Sequence, residues 1–168
     1  MSLKKQTVYI MLGGNQGKVD ETFFETLQWI ERLLGKVVKT SSIFQTQAWG
    51  PIPQADYLNM ALVFQTTFSP VIVLQTLLKI ESIMGRKRKE RYGPRTIDID
   101  IIFYGKRKIK HPQLTIPHPE LTSRNFVLIP LNEIAPNFCH PNNQLTVRQM
   151  LNNNQQDVLE VKLWKKLL

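Results

Sequence analysis

The spacing of apolar residues changes several times along the chain, and each change predicts an element. Thr7 to Leu12 (TVYIML) is a short, mostly apolar run that reads as a buried strand, punctuated by Gly13, Gly14 and Asn15. From Val19 the period becomes helical. Phe23, Leu27, Ile30 and Leu34 share one face, and Gly35 is placed to end the helix. Val37 to Gln45 predicts a strand. Trp49 to Ala55, with Pro51, Pro53 and Gly50, predicts a loop. Tyr57 to Thr67 alternates: Leu58, Met60, Leu62 and Phe64 point one way, Tyr57, Asn59, Ala61 and Val63 the other. Ser69-Pro70 joins a capping residue to a proline at the first helical position, and a helix follows over Val71 to Met84, closed by Gly85. Arg86 to Arg95 is a polar, basic loop, and Ile97 to Tyr104 a strand ended by Gly105. Beyond it lie two proline-marked segments, short helices near Ser123 to Ile129 and Thr146 to Leu151, and a last strand at Val158 to Leu163.

The order through Tyr104 is β-α-β-β-α-β. That order predicts an α+β fold of ferredoxin-like type, an antiparallel sheet with helices on one face, followed by a C-terminal extension. With 168 residues, a single domain over 1–168 is expected. An apolar fraction of 42% and a charged fraction of 21% exclude disorder as the overall state. No apolar run approaches the ~20 residues of a membrane span, and the polar N-terminus lacks the apolar stretch of a secretory signal. A lone cysteine, Cys139, forms no internal disulfide. A cytoplasmic protein is therefore expected. Charge adds more: 22 Lys and Arg against 13 Asp and Glu give +9. Such a chain expects an anionic partner, whether nucleic acid, a phosphate-bearing small molecule or a membrane surface.

The densest chemistry lies in Arg86 to Tyr104. Asp98 and Asp100 are one residue apart on a predicted strand, so their carboxylates share a face while Ile97, Ile99 and Ile101 turn to the core. Two adjacent carboxylates repel unless a cation lies between them, and a hard dication such as Mg²⁺ suits oxygen ligands. The alternative is a solvated acidic edge, but this pair adjoins Arg86, Lys87, Arg88, Lys89, Arg91 and Arg95. Arginine forks grip phosphate oxygens, so the segment reads as a metal-plus-phosphate site. A basic surface hairpin, or a nucleic-acid contact with Tyr92 stacking a base, are the other readings. The aromatic sheet motif of the ferredoxin-like RNA-binding module does not occur. Gly13 to Val19 fails the P-loop rule, since Leu12 and Val19 stand where Gly and Ser or Thr are needed. His111, His118 and His140 have no zinc spacing.

The run Arg91-Tyr92-Gly93-Pro94-Arg95-Thr96-Ile97-Asp98-Ile99-Asp100-Ile101-Ile102 resembles the signature of the 6-hydroxymethyl-7,8-dihydropterin pyrophosphokinases of folate biosynthesis. Further landmarks follow in order: Gly13-Gly14-Asn15, Asp56-Tyr57-Leu58-Asn59, Leu114-Thr115-Ile116-Pro117-His118, Arg124-Asn125-Phe126 and Pro130-Leu131. The resemblance implies a ferredoxin-like fold and a monomer acting on two small molecules, ATP and the hydroxymethyl dihydropterin, with neither nucleic acid nor membrane as partner. It implies transfer of the β,γ-pyrophosphoryl group to the pterin hydroxymethyl oxygen, with release of AMP. Asp98 and Asp100 would hold two Mg²⁺ ions. Arg86 and Arg95 would contact phosphates, and Arg88 and Lys89 would lie on the loop that closes over the reaction. Glu81, Ile101, Thr115, His118 and Arg124 would serve ATP. Tyr57 and Phe126 would sandwich the pterin and Asn59 would bond its edge, with Thr46, the backbone near Trp49, and Tyr92 completing that pocket.

This chain departs from the pattern at Tyr92, where tryptophan is frequent, and at Gln47-Ala48-Trp49, in place of Pro-Pro-Leu. Gly14 replaces serine, and Pro119 replaces an aromatic residue. The contrasting expectation is a basic ferredoxin-like nucleic-acid-binding module. It is distinguished by steep salt dependence and by having no use for two carboxylates beside its arginines.

Overall fold

Tyr57–Thr66 (β4) carries apolar residues on both faces, and it lies inside the sheet with both faces covered. The computed structural model describes residues 3–87 and 91–167; Arg88 and Lys89 lie outside the described residues. In chain order, Gln6–Gly14 (β1), Val19–Leu33 (α1), Val37–Thr40 (β2), Ile43–Thr46 (β3), β4, Pro70–Ile83 (α2) and Asp98–Tyr104 (β5) make up the ferredoxin-like unit. Ile109–His111 (β6), Leu114–Ile116 (β7), Asn125–Ile134 (α3), Val147–Asn153 (α4) and Val161–Lys165 (β8) follow. The sheet runs β5-β1-β4-β3-β8, with β2 also on β4, and every pairing in it is antiparallel. No helix among the described residues is long and apolar enough to cross a membrane.

Alternation decides which residue meets which layer. Val8, Ile10 and Leu12 of β1, Met60, Leu62 and Phe64 of β4, and Ile99 and Ile101 of β5 pack beneath α1 and α2, with Phe23, Ile30, Leu77 and Ile80. Met11, Ala61 and Val63 face the other way, onto Val127, Leu128 and Leu131 of α3 and Val147 and Met150 of α4. The C-terminal extension therefore covers the second face of the sheet instead of leaving helices on one face alone. The two short predicted helices there are present, α4 with a full capping box at Thr146 and Gln149.

The strand expected over Val37 to Gln45 is broken at Ser41-Ser42. Ser41 Oγ accepts the Ala61 N–H at 2.9 Å, taking the place of a backbone partner. Glu133 Oε1 accepts both the N–H and the hydroxyl of Ser42, at 2.7 and 2.9 Å. The break lets β3 pair with the first residues of β4, placing Thr46 opposite Tyr57 and Phe44 opposite Asn59. Gly35 ends α1 as expected, at φ +142°, where a Cβ would lie 2.0 Å from the Gln65 carbonyl oxygen. In β5, the register against β1 shifts by one residue, so Ile102 and Phe103 both face α3 and α4.

Candidate active site

A cleft opens over the second face of the sheet and is walled by β1, β3, β4, β5, the Trp49 loop, Tyr92, Arg95, His118 and the start of α3. Thr46, Trp49, Tyr57, Asn59, Tyr92, Arg95, Asp98, Asp100, His118, Arg124 and Phe126 all line it. These residues come from across the chain, and the antiparallel pairing is what gathers them. Gly13 of β1 stands opposite both Asn59 of β4 and Asp98 of β5, so the ring-binding and acidic candidates are two strands apart on one face.

On one side of the cleft the residues suit a flat polar ring. Tyr57 and Phe126 are half-buried, and the buried Asn59 donates to Thr46 Oγ1 at 2.8 Å, which orients its amide. Phe126 is aimed by the C-terminal segment. Asp157 accepts the Asn125 N–H at 2.7 Å, at the N-terminus of α3 where a carboxylate is favoured, and Asn154 donates to Asn125 Oδ1 at 2.7 Å. Arg124 pairs with Glu120, and its guanidinium stands over both the Trp49 and Phe126 rings, 5.6 Å from each centroid. Trp49 and Tyr92, both at departures from the family pattern, meet each other with centroids 5.5 Å apart.

On the other side stand the carboxylates and arginines. Arg86 donates to Asp98 Oδ1 and to Glu81 Oε1, both at 2.7 Å, and Arg95 donates to Asp98 Oδ2 at 3.0 Å. Glu81 also accepts the buried Ile99 N–H at 2.8 Å, so it braces β5 as well as Arg86. Burial works against the Arg86 charge, but Asp98 and Glu81 outweigh it and raise its pKa. Asp100 opens into the cleft. Its carboxyl is pushed up to about 7, first by the loss of water among the crowded walls, then by Asp98 and Glu81; Arg124 and Arg86 offset part of this. The His118 backbone N–H donates to the Ile102 carbonyl at 3.0 Å, and the pKa of the imidazole is lowered by burial and by Arg124. Burial also lowers the pKa of Arg124.

Four of the expected residues, Ile101, Thr115, Glu81 and Arg86, are not among those that line the cleft. Ile101 points away from the cleft into the core beneath α1 and α2, because it falls on the odd face of β5; Ile102 lines the cleft instead. Thr115 is exposed on β7, between the inward-facing Leu114 and Ile116. Glu81 lies behind Asp98 and reaches the site through Arg86. Met11, Leu12 and Val127 also line the cleft, and Gln54 borders it through Tyr57 and Tyr92. The first three carry only a core signal. Gln54 sits in a loop whose partners are distant in sequence.

The fold and site together define an α+β protein whose cleft sets a ring pocket beside an acidic, arginine-ringed pocket. The chain belongs to the 7,8-dihydro-6-hydroxymethylpterin-pyrophosphokinase family, whose model matches residues 9–136. It is 43% identical to the 2-amino-4-hydroxy-6-hydroxymethyldihydropteridine pyrophosphokinase of a Synechocystis species, over 83% of this chain and 72% of that protein. It is 40% identical to the Haemophilus influenzae enzyme of the same name, over 83% of this chain and 88% of that one. Among solved structures, a Plasmodium falciparum HPPK-DHPS chain crystallised with pteroate superposes with a TM-score of 0.71 at 19% identity, which shows the shared fold. The match covers 90% of this chain and 43% of that longer one.

Proposed function

We propose that this protein transfers the β,γ-pyrophosphoryl group of ATP to the hydroxymethyl group of 6-hydroxymethyl-7,8-dihydropterin with Mg²⁺ present, yielding AMP and the pterin diphosphate. The observation that carries the reading is the juxtaposition, in one cleft, of the Tyr57–Asn59–Phe126 pocket with Asp98, Asp100 and the arginines. Tyr57 and Phe126 offer faces to a bicyclic ring, and Asn59 offers polar atoms to its edge. Arg95, Arg124 and His118 line the space for a triphosphate, and Arg86 adjoins it through Asp98. The pterin hydroxymethyl oxygen attacks the β-phosphorus, the bond from that phosphorus to the α,β-bridging oxygen breaks, AMP leaves with that oxygen, and the hydroxyl proton is lost. Such a reaction depends on in-line positioning and charge neutralisation, and no protein nucleophile is needed.

The donor set fits magnesium brought in by the nucleotide. Asp98 and Asp100 present carboxylate oxygens on one strand face, and the raised pKa of Asp100 marks negative charge short of compensation. Among the described residues no group of three or more His, Cys, Asp or Glu gathers around one point, so phosphate oxygens and water would complete the shell. When bound, the cation neutralises phosphate charge as transfer proceeds. A nucleic-acid module of this fold stacks bases on an open sheet face; here α3 and α4 cover that face.

The test is to incubate the protein with Mg²⁺, ATP and the hydroxymethyl dihydropterin and identify the nucleotide product. AMP formed in step with pterin diphosphate is expected. ADP as main product, or no pterin-dependent turnover, would overturn the reading.

A further inference from the structure

We infer that Gln54 is a positioning residue that couples the ring side of the cleft to its phosphate side; the inference rests on the function proposed above. Its Oε1 accepts from Asn15 Nδ2 at 2.9 Å and from the Tyr57 hydroxyl at 3.0 Å, while its Nε2 donates to the Tyr92 carbonyl at 2.8 Å. One amide therefore joins three segments: the turn after β1, the first residue of β4 with its ring face, and the stretch that leads into Arg95.

The partners extend the connection. Tyr57 reaches the Gly93 carbonyl at 3.3 Å. Asn15 donates to the Ala55 carbonyl at 2.9 Å and exchanges hydrogen bonds with Arg95, whose N–H meets Asn15 Oδ1 at 3.0 Å and whose carbonyl accepts the Asn15 N–H at 3.0 Å. The Arg95 guanidinium stands over the Tyr57 ring, 5.8 Å from its centroid, and donates to Asp98. Tyr57 and Arg95 are thus held through the same side chain. The Trp49–Tyr92 contact is a second strut between the same two loops.

A primary amide is the group this junction requires, since it accepts at one end and donates at the other. Glutamate retains the acceptor for Asn15 and Tyr57 but sets an oxygen against the Tyr92 carbonyl. A ring seated on Tyr57 holds Gln54, and Gln54 holds Tyr92 and so the approach of Arg95 to phosphate. The reverse order works equally. Ring and nucleotide therefore bind with positive coupling, and thermodynamic linkage makes the factor the same in both directions.

Titration calorimetry with the hydroxymethyl dihydropterin and with magnesium and a non-hydrolysable ATP analogue tests this, each measured alone and with the other present. In the unsubstituted protein each ligand tightens the other by a common factor in the range of about 5 to 150. Gln54→Ala and Gln54→Glu lose most of that factor, while affinity for each ligand alone stays within about threefold and the unfolding midpoint holds. In turnover, kcat/KM falls with the lost factor. If the unsubstituted protein binds no pterin, the proposed function fails and this inference with it. If it binds both ligands without coupling, or if the variants retain the coupling factor, the inference alone fails. Equal losses in both single-ligand affinities with the factor intact would mark a merely structural role and also overturn it.

Discussion

Asp100→Asn is expected to stabilise the ligand-free protein while removing its turnover. The Asp100 carboxyl is pushed up to about 7 from the usual 3.8, first by the loss of water among the cleft walls and then by Asp98 and Glu81. The folded chain thus holds a proton that the unfolded chain has released, so stability falls as pH rises through that window and levels off above it. The full displacement corresponds to about 4 kcal/mol. Asp100 is open to water on its cleft side, and screening leaves about 1 kcal/mol of this. For a chain of 168 residues that is a midpoint difference of about 2–4 °C. The assay is thermal unfolding of both proteins without nucleotide from about pH 5 to pH 9. The two curves should lie closest at the acid end, separate up to neutrality and then run parallel, with the variant higher. Adding magnesium and ATP should reverse the order, because a ligand stabilises only the protein that binds it. A variant less stable than wild type at about pH 8, or a gap independent of pH, would mean that the Asp100 charge costs the fold nothing.

Asp98→Asn should act in the opposite sense on stability, costing about 1–3 kcal/mol in urea unfolding, because Arg86 and Arg95 lose a charged acceptor; no loss would mean the two pairs contribute nothing. Tyr57→Ala or Phe126→Ala should weaken pterin binding by about 0.5–1.5 kcal/mol beyond lost contact area, read by calorimetry, with ATP affinity nearly unchanged. Arg95→Ala should instead lower kcat more than pterin affinity, since phosphate charge shifts most in the transition state; equal losses would contradict that division. Gly35→Ala should cost at least about 2–3 kcal/mol, seen as a lower denaturation midpoint, because its positive φ and the Gln65 carbonyl leave no place for a methyl group.

Much of this was legible in the chain before folding. Alternation over Tyr57 to Thr67 marks a strand, Ser69-Pro70 marks the start of α2, and period two puts Asp98 and Asp100 on one face and Ile97, Ile99 and Ile101 on the other. The β6–β7 hairpin was not legible, because three-residue strands carry too little pattern. Nor was the break at Ser41-Ser42, whose cause is Glu133, 91 residues on in sequence from Ser42. Backbone alternation in the folded strands turns Ile101 into the core and Thr115 to the surface.

The chain's own pattern sets the nature of each element and the face on which its side chains lie, together with a motif whose carboxylates and arginines point to phosphate chemistry. These follow from local rules: side chains repeat every two residues in a strand and about every 3.6 in a helix. Long-range packing settles that α3 and α4 cover the second sheet face, that Arg86 and Arg95 share Asp98, and that Gln54 joins the Tyr57 and Tyr92 loops. The physical reason is separation along the chain. The contact of Gln54 with Asn15 spans 39 residues and that of Arg95 with Asn15 spans 80. Such pairs carry no periodic signal, and they form once β1, β4 and β5 have been laid side by side.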